Sequence, residues 1–114
     1  MSRRRIKLEI GKFYYLYWGS QHPAYIFLID KNHKTYFSIK TGTTRKKGMK
    51  RIKPISPNHK NNYVHKRPIE GTKKDYGNKE LKGLNFDKDD REIIEQIKKE
   101  KPIRTARAKM RYKK

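Results

Sequence analysis

The chain has 114 residues, 32% of them hydrophobic and 38% charged, with a formal net charge of +21, four histidines and no cysteine. That length allows one small domain with a modest core, while the missing cysteines exclude a disulfide framework or a thiolate metal site. The histidines are dispersed without HxxxH spacing, so neither a metal nor a cofactor is expected. A charge this large exceeds what solubility requires and repels itself unless an anionic partner neutralises it, which makes nucleic acid the first partner class.

In chain order, residues 1–10, "MSRRRIKLEI", carry Arg3, Arg4 and Arg5 and no long apolar segment, and read as a basic arm rather than a secretory signal. "KFYYLYW" is aromatic and extended in propensity, a first strand ending at Gly19 and Ser20. "AYIFLID" is nearly all apolar and reads as a central strand buried on both faces. Its length is far short of a membrane span, so the expectation is a cytoplasmic protein with no membrane partner. "KNH" makes a turn, and "KTYFSIKT" alternates until "GTT" breaks it, completing an antiparallel meander. Pro54 and Pro57 limit "RIKPISP" to a brief edge strand, and "NYVHKRPIEGT" adds a last one ended by Pro68 and Gly71.

From Asp87, acids lead and lysines close a helix over about 87–101, stopped by Pro102, with Ile93, Ile94 and Ile97 on the face that docks on the sheet. The last residues, 103–114, form a second basic segment read as a tail. Residues 11–102 are then one mainly β domain with a carboxyl-terminal helix. About five antiparallel strands should curl into a small SH3-like barrel, with an OB-like barrel as the alternative.

The charge is unevenly placed. Residues 31–69 contain twelve Lys and Arg and no acid, whereas the acids gather around the helix. Lys40, Arg45, Lys46, Lys47, Lys50, Arg51 and Lys53 are therefore candidate phosphate contacts, joined by Arg104, Arg107 and Arg111 of the tail. "TGTTRKKGMKR" adds flexible glycines and hydroxyls beside the cations but lacks Walker spacing. Trp18, at a strand end next to a turn, is the preferred ring for base stacking. For catalysis His22 stands out, because it precedes a central strand and a neutral imidazole can take a 2′-hydroxyl proton from RNA; His59 and His65 lie in polar sequence and could serve the same role. Asp87, Asp89 and Asp90 are better explained as a helix start than as metal ligands.

Gly11 and Lys12 ahead of the first strand, "GSQHPAYIFLI", and "FSIKTGT" together resemble the MazF/PemK endoribonuclease toxins across residues 11–44. The resemblance implies an SH3-like barrel, metal-independent RNA cleavage and an acidic antitoxin as partner. It sets His22 where the family has a catalytic arginine, and Thr41, or Thr43, where it has a threonine; Lys12 replaces the usual aspartate. Three functions follow as expectations. The first is a noncatalytic binder of RNA or DNA, RNA being preferred. The second is an endoribonuclease using His22 and Thr41. The third is an adaptor that engages an acidic protein through its basic face.

Overall fold

The computed structural model describes residues 7–58 and 60–112, the side chains of Arg111 and Tyr112 excepted. The expected contacts from Arg3, Arg4, Arg5, His59 and Arg111 lie outside this set. Strands β1 (Phe13–Trp18), β2 (Ser20–Asp30) and β3 (Thr35–Gly42) form the expected antiparallel meander. Gly19 permits the tight β1–β2 turn, since its φ of 78° suits a residue without Cβ. The β2–β3 turn is held by Asp30, whose Oδ1 accepts from the backbone N–H groups of Asn32 and His33 at 3.0 and 3.2 Å.

β3 is the hub of the sheet. One edge pairs with β2; the other is shared by β6 (Ile69–Thr72), along Thr35–Ser38, and β5 (Tyr63–His65), at Thr41 and Gly42. The short β4 (Met49–Arg51) extends β5, and β7 (Ile103–Arg104) runs parallel to β6. Seven strands are present among the described residues rather than about five. "NYVHKRPIEGT" is two strands, because Pro68 interrupts the ladder and lets each half take a different stretch of β3. Beyond β6 the chain makes a 3₁₀ turn at Lys73–Asp75 and runs back along the free edge of β1. Gly77 N–H donates to Tyr15 O at 2.7 Å and Leu81 N–H to Phe13 O at 2.8 Å, so this edge is not left open.

Alternation along the strands buries both faces of the sheet. One face packs Leu8, Tyr14, Leu16, Ala24, Ile26, Ile69 and Tyr76; the other packs Phe13, Ile39, Ile52, Ile55, Val64 and Leu84 against Ile94 and Ile97 of helix α1 (Arg91–Lys99). The α-helix is shorter than the expected 87–101, because Lys88–Asp90 form a 3₁₀ turn capped by Asp87 ahead of it; Asp90 Oδ2 accepts from the backbone N–H of Lys53 at 2.8 Å. The expectation that β2 is buried on both faces fails at its far end. A bulge between Ile26 and Leu28 shifts the register, and Leu28 is 49% exposed.

The segment read as a tail is folded. Ile103 N–H donates to Pro68 O at 2.8 Å and Thr105 N–H to Glu70 O at 2.9 Å, leading into a second helix, α2 (Ala106–Tyr112). The buried carboxylate of Asp75 accepts from Thr72 N–H at 2.8 Å and from the Thr105 hydroxyl at 2.7 Å; Thr105 Oγ1 in turn accepts from Ala108 N–H at 3.1 Å. Asp75→Ala removes a buried acceptor shared by two elements and should cost about 1–3 kcal/mol. Urea denaturation reads this out, and an unshifted midpoint refutes the docking of α2 through Asp75.

Candidate nucleic-acid interface

Directly paired residues on neighbouring strands project to the same face, as do alternate residues along one strand. The pairs Leu16↔His22, Trp18↔Ser20 and Ala24↔Lys40 therefore put Trp18, His22 and Lys40 on the face that carries Leu16 and Ala24. Tyr63 pairs with Gly42 and His65 with Met49, which brings the alternate residues of β5 to this face too. The apolar core covers only part of this face. Where it ends, a cluster of rings and cations remains.

The Lys40 ammonium lies 5.6 Å from the centroid of the Trp18 ring, and the Trp18 and His65 rings have centroids 6.3 Å apart with planes at 33°. In a flat sheet, strands as far apart in order as β1 and β5 would be separated by about 14 Å, at about 4.8 Å per step. Ring contact across that interval requires a curled sheet with side chains leaning inward. The indole remains 38% exposed, enough to offer an edge or face to a ligand.

Burial is the main cause that lowers the proton affinity of His22 below the ordinary histidine value, with Lys40 and then Lys46 adding to it. His65 is lowered in the same way, by burial first and Lys40 second, and Lys40 itself is lowered by burial and by Lys46. Among the described residues the charges acting on these three groups are all cationic, with Arg67 and Lys66 contributing at His65. Half-buried positive charge without a carboxylate is electrostatically unfavourable by itself, and a phosphate seated there relieves it. His22 Nε2 lies 3.0 Å from Ser20 Oγ. His65 Nδ1 accepts from Arg67 N–H at 3.3 Å, which assigns the proton of the neutral ring to Nε2, the nitrogen facing Gly48. Gly48 has a φ of +85°, so the turn that carries it past the imidazole depends on a residue without Cβ.

The candidate contacts divide into three groups. Lys40 is in the cluster, Lys46 acts on it electrostatically, and Arg45, Lys47, Lys50 and Arg51 are exposed on the loop and on β4. Lys53 is instead paired with Asp89, Arg104 with Glu70 at 3.2 Å, and Arg107 lies 3.8 Å from Asp75. Those three cations have counter-charges within the chain, remote in sequence and therefore hidden from a linear reading. Thr43 lies apart, on a cavity of about 400 Å³ with Pro54, Pro57, Lys60, Asn62 and Tyr63.

The expected pairing of His22 with Thr41 is not formed. Thr41 follows Lys40 on β3 and so points to the opposite face, where it pairs with Val64 and is fully buried; its hydroxyl donates to Pro23 O at 2.7 Å. His65 stands with His22 around Lys40 instead. The sequence offered His65 only as an alternative base in polar surroundings, because its three-residue strand is too short to read without its partners.

No cluster of three or more metal-binding side chains occurs among the described residues, and no helix among them is long and apolar enough to cross a membrane. The chain matches no family model, no curated protein and no solved structure.

Thr41→Val should cost about 1 kcal/mol of stability through loss of its buried hydrogen bond while leaving polyanion affinity unchanged; a large affinity loss in a folded variant would put Thr41 in the site. The histidines give a second expectation. Their depressed proton affinity means the unfolded chain takes up protons more readily, so their contribution to stability is present above about pH 6.5 and is lost as pH falls. A bound anion reverses the local balance and favours the imidazolium forms. Affinity for a polyanion should then rise as pH falls from 8 to 6, by at most about tenfold per pH unit for each proton taken up. Titration at constant ionic strength measures it, and a flat profile refutes the placement of phosphate beside His22 and His65.

Proposed function

We propose that this protein binds nucleic acid, RNA in preference to DNA, with the phosphate backbone seated on Lys40 and Lys46 and a base resting on Trp18. The observation that carries this reading is the half-buried cluster of Lys40, His22 and His65 beside the Trp18 ring, on which, among the described residues, only positive charges act. Arg45, Lys47, Lys50 and Arg51 extend the contact outward, while exposed ring surface beside cations is the arrangement that base stacking uses. The scaffold is proposed to be a small SH3-like barrel, supported by the shared outer edge of β3 and by the return of the chain along β1. A cytoplasmic location is part of the same proposal, resting on the cysteine-free sequence and the ligand class.

A second reading, metal-independent RNA cleavage of the MazF/PemK kind, is favoured by two imidazoles flanking Lys40. One neutral ring would accept the 2′-hydroxyl proton while the ammonium stabilises the developing charge. Its family resemblance rests on residues 11–44 alone, and the threonine that the family comparison supplies is turned into the core.

With Lys40, Arg45, Lys46, Lys47, Lys50 and Arg51 in contact, log affinity should fall against log salt with a slope of about −4 to −5, and each alanine substitution among them should flatten it by about 0.7 to 0.9. Lys53→Ala should not. Incubation with total RNA in EDTA tests cleavage: products lost in His22→Ala establish the nuclease, and a salt-sensitive gel shift without products establishes the binder. Absence of any shift defeats both readings and leaves an acidic protein, such as the antitoxin implied by the family resemblance, as the partner.

A further inference from the structure

The last two residues of β1 point to opposite sides of the sheet. Trp18 belongs to the Lys40 cluster, whereas Tyr17 is 48% exposed and lines a different cavity, of about 410 Å³, with Lys73, Lys74 and Asn78. A neighbouring cavity of about 330 Å³ contains Lys74 as well, together with Arg107 and Met110. The local chain explains this surface. Asp75 is drawn inward by Thr72 N–H and the Thr105 hydroxyl, which leaves Lys73 and Lys74 on the outside of the 3₁₀ turn. Gly77 then passes close to the phenol: a Cβ there would lie 3.0 Å from the Tyr17 hydroxyl, so the glycine lets the ring lie along the edge of the sheet. Asp75, which follows Lys74 in the chain, is buried with Oδ2 already hydrogen-bonded.

The groove thus repeats the chemistry of the first cluster, a partly exposed aromatic ring flanked by cations, at the free edge of β1, where Leu8 and Tyr76 form its floor. We infer that it is a second nucleotide subsite, and that one unpaired polynucleotide strand crosses the end of β1 from Trp18 to Tyr17, with its phosphates on Lys73 and Lys74. This rests on the nucleic-acid reading above. It adds that the ligand has unpaired bases and is long enough to reach both rings; a duplex, whose bases are stacked internally, cannot offer one to each ring.

Fluorescence anisotropy with labelled oligouridylate and oligothymidylate of 4 and 12 nucleotides tests the inference. The 12-mer should bind the wild type more tightly than the 4-mer. Lys73→Ala/Lys74→Ala should weaken the 12-mer about tenfold at modest salt and reduce its salt slope by about 1.4, leaving the 4-mer unchanged. Tyr17→Ala should weaken the 12-mer by about 5- to 160-fold, and Tyr17→Phe should restore it. Lys31→Ala/Lys34→Ala removes equal charge from the β2–β3 turn and should leave the length dependence intact. All these side chains are exposed, and circular dichroism confirms folding. If the Lys73/Lys74 variant binds both lengths as the wild type does, or if the Lys31/Lys34 variant loses as much, there is no second subsite even though the first stands. Failure of the wild type to bind either oligonucleotide defeats the underlying reading together with this one.

Discussion

Strand β3 is hydrogen-bonded along both edges, to β2 on one side and in succession to β6 and β5 on the other. Once both edges are occupied its register is locked, and each of its side chains is committed to one face. Ser38 and Lys40 go to one side, Ile39 and Thr41 to the other. Ile39 and Thr41 are fully buried, and Ser38 is hydrogen-bonded to the Tyr76 hydroxyl at 2.8 Å. Lys40 is held at the border, where the apolar packing ends but solvent does not fully reach. Its position depends on a core that would be lost if the register slipped by one residue.

The rest of the electrostatic design follows from where the few acids are spent. Glu70, Asp75 and Asp90 are buried, and each joins distant parts of the chain: Glu70 to Arg104, Asp75 to Thr105 and Arg107, Asp90 to the backbone of Lys53. With 11 acids against 32 basic residues, using acids as internal fasteners leaves few to neutralise the loop after β3. The cations of residues 40–51 are consequently concentrated on one end of the sheet. Charge that would be diffuse in an unfolded chain becomes a local field, strongest where Lys40 is partly withdrawn from water.

Long, strongly patterned elements were legible in advance. The aromatic run of β1, the apolar run of β2 and the alternation of β3 each carry their own period, and α1 carries an acidic start, a basic end and an isoleucine face. Trp18 and His22 were legible as candidates because they flank a turn that the glycine announces. The short elements were not. β5 and β7 have three and two residues, and exist because a partner strand is there to receive them. The catalytic pairing of His22 with Thr41 failed for a related reason. Linear proximity of Thr41 to Lys40 conceals that adjacent strand residues face opposite ways, and nothing local says which face is the core.

Composition and local pattern thus determined the mainly β class, the placement of a helix late in the chain, the net charge and the acid-free stretch of residues 31–69, because each depends on counts or on periodicities a few residues long. Tertiary structure alone decided that Arg104 and Arg107 are tethered to acids while Arg45 and Lys46 form no ion pair among the described residues, that residues 103–112 fold back on β6, and that His65 rather than Thr41 joins His22. Those outcomes depend on contacts between residues tens of positions apart, and such contacts exist only after the sheet has curled and set its register.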